Sequence, residues 1–99
     1  MRYDRAAVIQ VHRCIPDALA EILRRAPLND GKVAFAWRSS VGPAIDRGTT
    51  VTLQGGVLRV VVREAAWGRE VERSQTLIRA RLDSLLGPGI VRALEIVHL

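Results

Sequence analysis

Residues 56–99, GVLRVVVREAAWGREVERSQTLIRARLDSLLGPGIVRALEIVHL, pass from a β-rich stretch through a helical stripe into a second β-rich stretch. On a helix, Trp67, Val71, Ser74, Ile78, Leu82 and Leu85 recur at steps of four, three, four, four and three, one unbroken line at the helical period. Arg69, Glu72, Arg73, Thr76, Arg79 and Asp83 fall on the opposite side, with opposite charges three and four apart. Such a helix lies on a surface and buries one face. Gly87-Pro88-Gly89 ends it, because glycine accepts a left-handed cap and proline cannot continue the ladder. A crossover of this length lets a strand within residues 90–99 join the sheet that holds the strand before the helix.

That earlier strand belongs to a hairpin. Residues 49–54 and 57–63 flank Gly55-Gly56, a two-residue loop suited to the positive torsions of primed turns. With Gln54 opposite Val57, the pairs Leu53 with Leu58, Val51 with Val60 and Thr49 with Val62 share one face. Thr52 with Arg59 and Thr50 with Val61 share the other, so an apolar and a mixed face separate as a half-buried sheet requires.

Two helices are expected before the hairpin. Pro16 suits a first helical turn, and Leu19, Ile22, Leu23 and Ala26 follow at helical spacing up to Pro27. Asn29-Asp30-Gly31 then reads as a turn and cap, after which Val33, Trp37, Val41 and Ile45 repeat every four residues until Gly42-Pro43 ends or kinks the helix. Residues 1–14 form an N-terminal extension without an assigned structure, and residues 15–99 form a single domain. The order is helix, helix, strand, strand, helix, strand. It predicts an α+β fold, a three-stranded sheet with helices on one face. The third strand can lie beside either of the other two. The stripe of Trp67, Val71, Ile78 and Leu82 is expected to cover Val51, Leu53, Leu58 and Val60, leaving Thr50, Thr52, Arg59 and Val61 partly open.

At 99 residues the chain supports one modest core, burying roughly 65% of its unfolded surface. Cys14 is the single cysteine, so no intrachain disulfide or cysteine-based zinc site can form, and a reducing cytoplasmic compartment is expected. The start, MRYDRAAVIQVHR, lacks the apolar core of a signal peptide, and no run approaches the ~18 apolar residues of a membrane span. A net charge of +5 favours an anionic partner. Fourteen of the fifteen basic residues are arginine, suited to bidentate phosphate contacts, but the excess charge is spread along the whole chain.

The run AFAWRSSVGPAIDRGTTVTL at residues 34–53, then GVLRVVV, AAWGREV, RARLDSLLG at residues 79–87 and the closing VRALEIV, resembles the DciA family of bacterial replication proteins. The likeness extends from Ile15 to the end of the chain. It implies a KH-like domain that engages the hexameric replicative helicase and assists its loading on single-stranded DNA. Family members commonly carry a further basic, flexible tail, whereas this sequence ends just after the last expected strand. Where many relatives place a small polar cap before the long helix, this chain has Arg63-Glu64-Ala65. The GXXG clamp of nucleic-acid-binding KH domains is absent, because no two glycines are three positions apart.

Any nucleic-acid or partner contact therefore falls to surface arginines. Arg59 on the mixed sheet face, with Arg69 and Arg73 at i and i+4 on the outer helix face, are the candidates. Trp37, Gly42, Leu58, Val60, Trp67, Val71 and Leu82 are expected in the core; both tryptophans lie on apolar stripes, which favours burial over base stacking. Gly42 reads as a close-packing or bending residue rather than part of a phosphate loop.

No catalytic, metal or cofactor constellation is recognisable. His12 and His98 are isolated, Cys14 and His12 face apart on a helix, and Glu70 and Glu72 diverge and serve better as salt-bridge partners. The chain is read as a non-enzyme that needs no cofactor. Its partners are the replicative helicase, by resemblance, with single-stranded DNA possible and no membrane; the oligomeric state is open. Two other readings stand beside the adaptor: a stand-alone single-stranded nucleic-acid-binding module, and a protein-interaction domain that uses the open sheet face or a sheet edge.

Overall fold

The computed structural model describes residues 17–99. Pro16, His12, Cys14 and the rest of residues 1–16 lie outside the described residues. The helices are α1 (Asp17–Arg25), α2 (Asp30–Val41) and the short α3 (Pro43–Arg47), then α4 (Ala65–Arg73) and α5 (Gln75–Leu86). The strands are β1 (Thr49–Gln54), β2 (Val57–Val62) and β3 (Ala93–His98). The fold is α+β, with the expected order of elements and two refinements, at Gly42 and at Ser74.

The hairpin register is the one the alternation predicts, from Thr49 opposite Val62 to Gln54 opposite Val57. Gly55 and Gly56 have φ of 60° and 81°, torsions that match the strand twist and that most side chains avoid. β2 is the central strand. β3 pairs with it in parallel, Leu58 beside Leu94 and Val60 beside Ile96, which settles the strand order as β1-β2-β3.

Asn29 caps α2, its side-chain oxygen accepting the Lys32 N–H at 2.8 Å. Gly42, at φ 88°, ends α2, and Pro43 opens α3 at the position where a missing N–H is harmless. Val41 and Ile45 thus belong to different helices, although their spacing suggested one.

The single long helix is corrected to two. Ser74 (φ −98°, ψ 11°) closes α4 and precedes α5. The reason is packing: α4 lies on β2 and β3, whereas α5 packs most extensively on α2 and α1. One straight helix could not serve both surfaces. Val51 and Leu53 also differ from expectation, since β1 is flanked by α2 and α3 rather than by the α4–α5 stripe.

The core joins Val33, Ala36 and Trp37 of α2 to Leu58, Val60 and Val62 of β2 and to Val71, Ile78, Leu82, Leu85 and Leu86 of α4 and α5. Gly42 is buried, and Trp67 is partly buried against the cluster. The Trp37 indole N–H donates to Thr49 Oγ1 at 2.9 Å, and that hydroxyl donates to the Ile45 carbonyl at 2.7 Å, so one threonine ties α2, α3 and β1 together.

Lys32 is 7% exposed, and its ammonium donates to the carbonyls of Arg24 (3.1 Å) and Ala26 (2.7 Å). It closes the C-terminal end of α1, where orphan carbonyls and the helix dipole favour a cation. α1 has no fully buried residue, and this cap shares its attachment with Ala20 and Leu23, which pack against the core, and with the Arg24 guanidinium, which donates to the Ser84 carbonyl. Lys32→Met, which keeps the stem and removes the donors, is expected to cost about 1.5 kcal/mol. Hydrogen exchange should then quicken in α1 before the sheet; uniform quickening would contradict a local cap.

Candidate interaction surface

Gly48 links α3 to β1 and lies against the indole of Trp67, the third residue of α4. A Cβ at Gly48 would sit 2.5 Å from Trp67 Cδ1 and Nε1, so glycine is required for room, its φ of −91° being ordinary. Arg63, in the turn before α4, donates its N–H to the Gly48 carbonyl (3.2 Å) and its guanidinium to the Arg47 carbonyl (3.2 Å). Arg47, Gly48, Arg63 and Trp67 therefore meet at one end of the molecule.

Trp67 is not a second Trp37. Its N–H has no hydrogen-bond partner among the described residues and is not sealed from water. Arg47 and Arg63 are both exposed, and neither forms an ion pair among the described residues. A partly buried indole with an unfilled N–H, close to two exposed arginines of which Arg63 also holds the Arg47 carbonyl, has the composition that suits an interface anchor: large apolar area, one unfilled donor and cationic donors. The same chemistry can stack on an unpaired base.

The three arginines named from the sequence are not brought together. Arg59 stands on the open sheet face, on the side away from the helices, paired to Glu95 at 3.0 Å with both side chains more than half exposed. Such a pair contributes little stability and opens readily. Arg73 pairs with Glu70 on the outer side of α4, while Arg69 is exposed there without a partner among the described residues. Arg24, Arg79, Arg81 and Arg92, like Arg63, donate to backbone carbonyls and brace the fold.

A groove of about 510 Å³ opens between the α1–α2 loop, the hairpin tip and the turn before β3, lined in part by Leu28, Val33, Leu53, Ile90 and Arg92. Asp30 is the one carboxylate of its lining, which has no histidine or cysteine, so it offers no acid–base pair. Among the described residues no group of three or more His, Cys, Asp or Glu is placed to hold a metal ion. His98 is exposed at the end of β3, against Gly68 of α4. No described helix is long and apolar enough to cross a membrane.

The family model described as "Dna[CI] antecedent, DciA" matches residues 10–96. The chain belongs to the DciA family. It is 34% identical over 73 residues to a UPF0232 protein of Mycolicibacterium smegmatis (strain ATCC 700084 / mc(2)155), covering 73% of this chain and 38% of that protein. It is 33% identical over 72 residues to a UPF0232 protein of Mycobacterium leprae (strain Br4923), covering 72% and 38%. A further Mycolicibacterium smegmatis relative, a UPF0232 protein in the recF-gyrB intergenic region, is 33% identical over 73 residues, covering 73% and 38%. This DciA-family chain thus spans about two-fifths of the length of the curated relatives it matches.

The matched span takes in the hairpin and both helices after it, including Arg47, Gly48, Arg63 and Trp67. Arg47 and Arg63 were not singled out from the sequence. The available signal was a glycine just before a strand, at the distance where a bulky side chain from the next helix can settle on it.

Proposed function

We propose that this chain is a non-enzymatic, cytoplasmic DNA-replication adaptor that binds the replicative helicase and assists its loading on single-stranded DNA. The observation that carries this reading is the match of the family model across residues 10–96, whose description names an antecedent of Dna[CI]. The mixed three-stranded sheet with helices on one side is compatible with a KH-like domain in that role. Trp67 is the anchor of the helicase contact, with Arg47 and Arg63 as its charged partners. Arg59, Arg69 and Arg73 remain candidate secondary contacts on other faces.

The test uses the complete native protein, its cognate replicative helicase and single-stranded DNA, with loading followed at two salt concentrations. Stimulated loading is expected. Absence of both helicase binding and any effect on loading sinks the proposal.

A second reading, direct single-strand binding without the helicase, is favoured by the hairpin: residues 47–63 hold three arginines and no carboxylate. Fluorescence anisotropy with labelled single strands tests it. If several phosphates are neutralised, affinity falls steeply as salt rises. No binding at low salt rejects it.

A further inference from the structure

Among the described residues β1 is an edge strand; α2 and α3 flank it, but its sequence TTVTLQ has none of the residue types that usually protect an edge. It contains no charge, proline or glycine, and its pairing with β2 runs through six consecutive residues without a bulge. The opposite edge, β3, carries Glu95 in mid-strand.

The geometry of a two-residue hairpin fixes which groups β1 leaves free. Gln54 and Val57 flank the loop as a hydrogen-bonded pair, so Thr52 and Thr50, at alternate positions, also bond to β2. The N–H and C=O of Val51 and Leu53 then point away from the sheet. No backbone bond from either residue to a loop or helix is present among the described residues. Beside them, the Thr50 and Thr52 side chains stand exposed on the open face.

We propose that β1 is a docking edge for an extended, acidic peptide segment of a partner protein, which adds to the sheet as a fourth strand. Backbone bonds to Val51 and Leu53 supply the affinity, as in other strand-addition complexes. Charge selects the occupant. The hairpin between Arg47 and Arg63 has no carboxylate of its own and carries three arginines. Arg59 is paired to Glu95 of β3, and Arg47 and Arg63 have no ion pair among the described residues, so an acidic segment is attracted, whereas a second copy brings the same two cations and is repelled. This inference is independent of the helicase reading and survives a negative loading assay.

The probe is a fluorescein-labelled octapeptide of alternating glutamate and valine, with a lysine–valine octapeptide as the charge control. Binding of the acidic peptide alone is expected, with new exchange protection at the Val51 and Leu53 amides. Val51→Pro removes one outward N–H without touching the bonds to β2 and should weaken binding at least tenfold. T50E/T52E should weaken it and T50K/T52K should not; both pairs are solvent-exposed and leave the fold intact. No binding of the acidic peptide, equal binding of the lysine peptide, or equal binding to Val51→Pro overturns the proposal. So does sedimentation showing a dimer of the native chain that Val51→Pro dissolves, since the edge then belongs to a second copy.

Discussion

Trp37→Ala is expected to lower the stability of the domain by about 4 kcal/mol, the largest effect of any single substitution considered for this chain. Trp37 is 1% exposed and sits where α2 meets α3 and β1. Truncation removes the whole indole from a site whose walls are backbone-tethered through Thr49, which limits how far they can close the cavity. Domains of this size are stable by about 5–15 kcal/mol, so the variant should be near its unfolding midpoint under mild denaturant. Trp37→Phe separates the two contributions: it keeps much of the ring and loses the N–H. Thr49 still donates to Ile45, so only an acceptor site is left unfilled, and the cost should be less than half that of alanine. Urea unfolding followed by circular dichroism measures both. A loss below about 1 kcal/mol for alanine would mean that Trp37 is not packed as described.

Gly48→Ala is expected to cost about 2 kcal/mol and, in addition, to disturb the candidate surface. Its φ of −91° suits any residue, so backbone strain makes no contribution. The added methyl would sit 2.5 Å from two atoms of the indole five-membered ring, which must move. Trp67 is held by its position on α4, with Glu64 at the N-cap making no side-chain capping bond, so the indole can shift only by tilting outward or by displacing the first turn of the helix. The indole N–H resonance of Trp67 should therefore shift or broaden while that of Trp37 stays. Unchanged resonances and unchanged stability would show that the Gly48–Trp67 contact is not close. Glycine at position 48 is thus read as the seat of the interaction surface rather than as a turn residue.

These two sites differ in how far they were legible beforehand. Trp37 lies on a helical stripe with Val33, and the period alone indicates burial. The hairpin was readable to the residue, because alternation and the Gly55-Gly56 loop each fix the same register and a slip by one would reverse every face. The break at Ser74 was not readable: the apolar spacing from Trp67 to Leu85 runs through it without interruption, and only the change of packing partner, from sheet to helices, shows why the chain bends. Lys32 was equally hidden, since a lysine in a first helical turn looks solvated until α1 is folded back beside it.

For the candidate surface, the sequence told which arginines are exposed but not which are neighbours. Arg59, Arg69 and Arg73 satisfy exposure, yet a sheet separates the first from the other two. Arg47 and Arg63 are sixteen residues apart and become neighbours because the hairpin closes in register, bringing Arg63 back to Gly48. That proximity depends on strand pairing and on the close approach of Trp67, neither of which is a local pattern.

The central claim is that the end of the domain built from Arg47, Arg63 and Trp67 makes the helicase contact. Helicase loading on single-stranded DNA by R47E/R63E, compared with R69E/R73E and the native protein, tests it most directly. Both double variants alter exposed side chains and carry the same change of charge, and each removes one surface contact, Arg63 to the Arg47 carbonyl in the first and Arg73 to Glu70 in the second. R47E/R63E should lose at least tenfold in helicase affinity and most of the stimulation of loading, while R69E/R73E stays within about twofold of native, since exposed charges away from an interface contribute little to affinity. Equal losses in the two variants would reduce the contact to net charge, and full activity of R47E/R63E would contradict the assignment.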